Sequence, residues 1–497
     1  MNNRIELPII AVTIFLTGTA MFVPALVALA SDDHQGSRAF FYTGLLIIVF
    51  SVISGIASHN FRPNISRIDQ LFGLLLTFAL LPALLAVPIA ALNEGTPFLD
   101  LYVDMVSCLT TTGTAIAELQ SREGMSIEVW RAEAAWLGGY LMWVAAAAIL
   151  EPLSLGGFEV RETGPASHSE DSAQEGRRIR LKLKRLSLHL LPWYFGATAL
   201  LWILEMTAGE GLLPALVLAM STVSTSGIIL NSDTGLVSEA IVLVFLVLAW
   251  SSIFVTGRSS AFSPRRLIRD SELRMATVAV LASLALFVVV NLDAILATRN
   301  VEAALESAAA LWAAIYTSAS FLATAGFTSS LMDANRVSGD FHYPEFLLIV
   351  LAVCGGGVAT TAGGIKLLRI VALAKLGDKE LSRLVYPSTV SVSSGTVRGL
   401  RVTGQEFAWI AFTIFFISLA LYLLAFAATG MAFREAAVVA VAALSTTGPI
   451  APAILGSNYE FTEFGAGAKC LLASAMILGR LEFLTVIALF NPALWRR

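Results

Sequence analysis

The chain has 497 residues, 57% of them hydrophobic and only 14% charged, with a formal net charge of −4. A soluble protein carries about 25% charged residues, so a soluble globular enzyme is excluded, and no nucleic-acid partner is expected. The length accommodates roughly ten membrane spans of about 20 residues with their loops, which points to an all-α polytopic membrane protein.

The first apolar stretch runs near 5–30. It follows Arg4 and ends Ala28-Leu29-Ala30, so a signal peptide with an Ala-x-Ala cleavage site competes with a membrane span. Its apolar part is far longer than the roughly 7–15 residues of a signal core, and a retained span is expected. A second span near 39–58 precedes Arg62 and Arg67, and residues 1–68 are read as an accessory helix pair.

Four units follow. Residues 69–160 hold an outer helix near 70–92, a short apolar segment from Phe98 to Thr110, a polar loop to Arg131 and an inner helix near 132–150. Twelve or so residues of helix reach about 18 Å, half a bilayer, so the short segment must enter and turn back. Asp100 and Asp104 fall in its early turns, where carboxylates suit a helix N-terminus. After a loop at 161–187, residues 188–260 repeat the order: outer helix 188–206, short helix Gly211–Val223, inner helix 237–256. A loop at 261–274 leads to residues 275–371, with an outer helix at 275–297, a short helix from Glu302 to Leu322 and an interrupted inner segment at 344–371. A linker at 372–404 precedes residues 405–497, with an outer helix at 405–428, a short helix Phe433–Leu444 and an inner helix at 464–490. The sum is ten spans and four re-entrant segments.

Each short segment ends in Thr-x-Gly. The four stretches are Thr110-Thr111-Thr112-Gly113, Ser224-Thr225-Ser226-Gly227, Ala323-Thr324-Ala325-Gly326 and Ser445-Thr446-Thr447-Gly448, their glycines 114, 99 and 122 residues apart. One such triplet in an apolar helix means only a back-bonded hydroxyl beside a packing glycine. Four in register mean a duplicated unit. The chemistry suits a bare monovalent cation, which needs several oxygens converging on one point, and rings of backbone carbonyls supply them. Glycine takes left-handed angles that aim successive carbonyls at an axis, and each short helix would turn its partly negative C-terminal end toward the ion. The expected ion positions are at Thr111, Thr225, Thr324 and Thr446.

Two features break the pattern. Gly355-Gly356-Gly357-Val358-Ala359-Thr360-Thr361-Ala362-Gly363-Gly364-Ile365-Lys366 interrupts the third inner segment. Five glycines there cannot form a regular helix interior at about 1 kcal/mol each, and broken backbone at membrane depth survives only when buried in protein or lining a cavity. A phosphate loop is excluded, because Ile365 and Leu367 flank Lys366 where Gly-Lys-Ser/Thr is required. The loop is read as lying under the four corners, across a pore. Arg480 sits in the last apolar helix, where an arginine costs about 2.5–3.5 kcal/mol. It either pairs with Glu482 or snorkels to the cytoplasm, or it is a positive plug held by carbonyls of the glycine loop.

Basic residues sort the loops. Arg177 to Arg185, Arg258 to Arg274 and Lys375 to Arg401 cluster between units, whereas the Thr-x-Gly loops carry only isolated ones such as Arg122, Arg336 and Arg434. The positive-inside rule puts the inter-unit loops in the cytoplasm and the corners toward the outside. Cys108, Cys354 and Cys470 have no paired spacing, and the five histidines form no ligand motif, so neither a disulfide nor a metal centre is expected.

Two leading spans, four such units, the GGGVATTAGGIK loop and LGRLEFLT in the last helix resemble the TrkH/KtrB family of potassium transporters, with the leading spans favouring the TrkH branch. The resemblance implies K+ as the transported ion, a homodimer among lipids of a bacterial inner membrane, and a cytosolic nucleotide-binding gating subunit of TrkA or KtrA type. It makes Gly113, Gly227, Gly326 and Gly448 the filter glycines, Gly355–Gly364 the gating loop and Arg480 the barrier arginine. Ala323 departs from the hydroxyl residues found in the other three corners. No Gly-x-Gly-x-x-Gly fingerprint occurs, so no organic cofactor is expected in this chain and nucleotide sensing would belong to a separate subunit. Sodium or ammonium passage, and an alternating-access carrier, stand as alternatives within transport. An intramembrane enzyme would need a nucleophile or metal ligands paired within the spans, and no such pairing is visible.

Overall fold

A computed structural model of the chain describes residues 9–57, 67–93, 95–116, 124–151, 158, 172–230, 234–251, 270–296, 301–332, 341, 343–385, 402–456, 459 and 461–482. Among these residues there are helices and turns and no strand. Seven helices are long and apolar enough to cross a membrane, so this is an all-helical multi-pass membrane protein.

The helices follow one order four times. α4 (Arg67–Leu92), α5 (Phe98–Leu109) and α6 (Gly124–Ala145) make the first set; α6 runs on into a π-turn at Ala146–Leu150. α7 (Ser172–Thr207), α8 (Leu212–Ser224) and α9 (Leu236–Leu246) make the second. The third comprises α10 (Ser271–Val290), the short α11 (Leu292–Leu296), α12 (Val301–Leu322), α13 (Glu345–Cys354) and, beyond the glycine loop, α14 (Leu367–Val385). The fourth comprises α15 (Val402–Ala428), α16 (Phe433–Leu444), α17 (Ile450–Leu455) and α18 (Ala466–Leu481).

Packing closes these sets into a ring. Each outer helix lies against its own short helix, α4 on α5, α7 on α8 and α15 on α16, and α10 lies on their counterpart α12, which is not short but 22 residues long. Each inner helix wedges between its own short helix and the next one. α6 touches α5 and α8, α9 touches α8 and α12, α13 touches α12 and α16, and α18 touches α16 and α5. The last contact returns to the first short helix. Outer helices keep a lipid-facing side, with exposed apolar residues such as Leu80, Trp193, Val289 and Leu421, as helices bathed in hydrocarbon do.

The expected first span is two helices, α1 (Ile9–Ala20) and α2 (Phe22–Ala30), and its residues 5–8 lie outside the described residues. The break at Met21 comes just before Pro24, which lacks the N–H that would bond the carbonyl four residues back. α3 (His34–Ala57) returns alongside both, and the group docks on α4 and α6. Fully buried Phe40 meets Trp130 edge-on at 6.0 Å, and Trp130 Nε1 donates to the Leu85 carbonyl at 3.0 Å.

Several boundaries differ from expectation. The first inner helix starts at Gly124 rather than 132, which turns Arg131 from a loop residue into a buried helical one. The second outer helix starts at Ser172 rather than 188, so much of the expected loop 161–187 is helical; its Arg, Lys and Leu residues are good helix formers that carry the helix past the apolar part at Lys184–Thr207. The expected linker 372–404 is helical as far as Val385 for the same reason. Residues 161–171, 252–269, 386–401 and 483–497 lie outside the described residues, and with them Arg258, Arg265, Arg266, Arg269, Arg398 and Arg401 of the inter-unit basic residues and the expected end of the last inner helix.

Candidate functional site

The four short helices end alike. Thr111, Thr225, Thr324 and Thr446 take left-handed φ values of 58°, 56°, 56° and 54°. Their N–H groups donate to the carbonyls of Cys108, Thr222, Phe321 and Ala443, at 2.8, 3.2, 3.0 and 3.3 Å. The next N–H, on Thr112, Ser226, Ala325 and Thr447, reaches back to the carbonyl of Ser107, Ser221, Ser320 and Ala442 at 2.8, 3.0, 3.0 and 2.9 Å. This is a Schellman helix end with threonine in the position that glycine usually holds. A left-handed residue with a Cβ costs roughly 1–2 kcal/mol, and a β-branched one is a genuine outlier. Such strain persists only where the surroundings enforce it, and all four threonines are fully buried.

Gly113, Gly227 and Gly326 are also left-handed, at φ 75°, 73° and 77°. Gly448 is not, contrary to the expectation that all four glycines aim carbonyls in this way. Pro449 follows it, and proline restricts the backbone of the residue before it.

The corners touch in cyclic order. A methyl at Gly113 would fall 1.6 Å from the Ser226 carbonyl oxygen, and one at Gly227 2.2 Å from the Ala325 carbonyl oxygen. One at Gly326 would fall 2.9 Å from Pro449 Cβ, and one at Gly448 2.5 Å from the Thr112 carbonyl oxygen. The Gly448 N–H donates to that same Thr112 carbonyl at 2.7 Å, which joins the fourth corner to the first.

Hydroxyls brace three of the corners. Thr110 and Thr112 share a hydrogen bond of 2.9 Å, Ser224 donates to Ser226 at 3.2 Å, and Ser445 donates to Thr447 at 3.1 Å. The third corner has Ala323 and Ala325 in those places and lacks the brace altogether. The four left-handed threonines differ in their side chains. Thr225 Oγ1 donates to the Ser224 carbonyl at 2.7 Å, and Thr324 Oγ1 accepts the Gly363 N–H at 2.8 Å. The Oγ1 atoms of Thr111 and Thr446 are buried without a hydrogen-bond partner.

The glycine loop leaves α13 and re-enters α14 at one point. Ile365 N–H donates to the Val353 carbonyl at 2.9 Å, Lys366 N–H to Cys354 at 3.1 Å, and Leu367 N–H to Gly356 at 2.9 Å. Gly355 and Gly364 are left-handed there, at φ 68° and 74°, and a methyl on Gly355 would fall 2.1 Å from the Gly363 carbonyl oxygen. Within the loop, Thr360 Oγ1 donates to Gly357 at 2.8 Å and Lys366 Nζ to the Ala362 carbonyl. Outward contacts spread it across the molecule. Gly357 N–H bonds Ala249 beyond α9, Val358 N–H bonds Glu272 Oε1 of α10, and Thr361 Oγ1 bonds Val223 of α8. A methyl on Gly363 would fall 2.1 Å from the Ser445 carbonyl oxygen, so the loop also abuts the fourth corner.

Arg480 is 3% exposed, and one of its terminal nitrogens donates to the Thr361 carbonyl. Its Nε and other terminal nitrogen have no partner. The pairing with Glu482 considered from the sequence is not made. Glu482 instead holds Arg369 of α14 at 2.6 Å, with both side chains buried.

Sequence reasoning missed Arg369, Glu272 and Arg131 as structural partners, and offered Glu482 to Arg480 rather than to Arg369. Asp104 does more than favour a helix N-terminus: fully buried, it takes Arg131 at 3.0 and 3.1 Å and the Ile116 N–H at 3.0 Å. Asp100 pairs with Lys469 of α18 at 2.8 Å, which ties the first short helix to the last inner one. Charged residues inside apolar runs were the available signal. Outside the spans, Tyr459 donates to Glu435 at 2.7 Å, and burial followed by that carboxylate pushes its phenol above the usual tyrosine range.

The family of cation transport proteins described as TrkH matches residues 264–497. The Trk system potassium uptake protein TrkH of Salmonella typhimurium is 28% identical, with all of both chains covered. TrkI of Halomonas elongata is 26% identical over 99% of this chain and 96% of its own. The crystal structure of the potassium transporter TrkH from Vibrio parahaemolyticus superposes with a TM-score of 0.78 at 24% identity, covers both chains completely and shares the fold.

Proposed function

Because residues 264–497 match the TrkH family of cation transport proteins and the whole chain is 28% identical to a Trk system potassium uptake protein, we propose that it is a TrkH-type transporter that takes up potassium along an axis on which its four Thr-x-Gly corners converge. The ring in which each corner's glycine faces the next corner carries the reading. Backbone carbonyls from four helix ends replace the hydration shell of K+, and the partly negative helix ends favour a cation without a formal charge. The unpartnered Oγ1 atoms of Thr111 and Thr446 are acceptors that an ion in the ring would use. Strain at the four threonines keeps the carbonyls convergent before the ion arrives.

Beneath this filter, the loop from Gly355 to Lys366 and the Arg480 side chain act as the gate. Arg480 repels an inward-moving cation until loop and arginine shift together. The membrane potential drives uptake at about 2.3 kcal/mol per charge per 100 mV. The inter-unit basic loops face the cytoplasm of a bacterial cell, where a nucleotide-binding subunit sets the gate of a homodimer. The test is rubidium uptake into vesicles containing the purified chain, with sodium as competitor. Rubidium accumulation that sodium fails to suppress supports the reading; equal competition by sodium overturns the selectivity, and no uptake even by Arg480→Ala overturns the pore.

A further inference from the structure

Beside the glycine loop lies a buried group of charges that, among the described residues, is unequal in sign. Lys366, Arg369 and Arg480 bring three positive charges, and Glu272 and Glu482 two negative ones, all less than 10% exposed. Glu272 bonds the Val358 N–H. Glu482 is bound to Arg369, at 2.6 Å. Arg480, two residues from Glu482, keeps two buried donors without acceptors. Orphaned donors on a buried cation are costly, and a carboxylate beside them is the natural remedy. Glu482 has left the helix at φ 63°, so its side chain is not held to the helical face that would separate it from Arg480.

We propose that Glu482 is a switching carboxylate: in the structure it latches α14 through Arg369, and on opening it transfers to Arg480 and draws the arginine off the Thr361 carbonyl. This rests on the gate reading of Arg480 and adds residues that reading does not use. Arg369 and Glu482 are positioning residues, acting on the ion path through Arg480. A small cavity bounded by Gly364, Ala411, Phe415 and Gly479 lies beside the Arg369–Glu482 pair. The geometry also supplies a lever. α14 runs from Leu367 to Val385 and ends with Leu381, Leu384 and Val385 exposed at 64%, 80% and 66%, so a pull on that end moves Arg369 away from Glu482. Once paired with Glu482, Arg480 has its charge offset and no longer pins the loop.

The test is basal rubidium uptake by vesicles of the full-length chain without any partner. Arg369→Gln releases Glu482 and is expected to raise uptake at least tenfold, with Arg369→Lys between it and the parent chain. Adding Glu482→Gln to Arg369→Gln is expected to abolish most of that gain, because the freed carboxylate causes the opening. A static brace predicts the reverse, with the double variant leaking at least as much as the single one. That outcome overturns the proposal, as does unchanged uptake in both Arg369 variants. Arg480→Ala serves as the separate control: leakage there with none in the Arg369 variants defeats the exchange alone, whereas no leakage in any variant defeats the gate itself. Elution as a single folded species in detergent qualifies each variant for comparison.

Discussion

Threonine in a left-handed backbone is the most telling detail of this protein. Any one of the four is an outlier; four at equivalent helix ends, each with the same pair of backbone hydrogen bonds, are a construction rule. Substitution at the glycines next to them should therefore act on ion discrimination. Gly326→Ser is strained at φ 77° and pushes a side chain toward Pro449 Cβ, 2.9 Å from the added Cβ. Its expected result is a several-fold rise in sodium uptake relative to rubidium, measured in the same vesicles. Unchanged sodium flux would remove Gly326 from the filter. Arg480→Ala takes away the buried positive charge that the proposed gate uses as a barrier, and is expected to raise basal rubidium uptake without any partner. If basal uptake stays at the level of the parent chain, Arg480 is a structural residue only.

Two of the short helices, α5 and α16, are met at their ends by the bare backbone of an inner helix. Gly138 of α6 and Gly479 of α18 let the inner helices lie directly on the ends of α5 and α16, where a methyl would fall 1.9 Å from the Leu109 carbonyl oxygen and 2.4 Å from that of Leu444. Small residues permit such close helix approach in membranes. Gly138→Val must displace backbone rather than a flexible side chain, so it should lower the yield of folded protein or broaden selectivity. Gly196, in the outer helix α7, has open space around it, and Gly196→Val should do neither. Equal damage at both positions would show that helix propensity, not close packing, is at stake. The glycine loop follows the same logic. Its turns at Gly355 and Gly364 are left-handed, and it threads between α8, α9, α10 and the fourth corner through the Gly357 and Val358 N–H groups, the Thr361 hydroxyl and a close backbone approach at Gly363 that a regular helix could not offer.

For the molecule as a whole, α1–α3 is attached at the side of the ring of inner and short helices, the part to which the proposed function assigns transport. The attachment centres on Phe40, which is fully buried against Trp130. Phe40→Ala removes a large buried ring, a change that costs about 3–5 kcal/mol in well-packed cores. The expected outcome is a lower melting temperature of the purified protein with rubidium uptake per folded molecule retained. Loss of uptake in molecules that remain folded would make the leading helices part of the transport path.

Residue order alone dictated the membrane class and marked the four Thr-x-Gly helix ends, because apolar length and Thr-x-Gly spacing are local features that a linear chain displays. It also marked the glycine loop and Arg480 as misfits, since glycine and arginine are costly in apolar helices wherever they sit. Folding in three dimensions assigned the rest. The left-handed angle fell on the threonines as well as on three glycines, because a Schellman end fixes it two residues before each glycine, and Pro449 exempted Gly448. The bond of Glu482 to Arg369 rather than to Arg480 was decided by how α14 and α18 meet, 113 residues apart in the chain. A charge's partner is set by distance through space, and spacing along the sequence does not encode it.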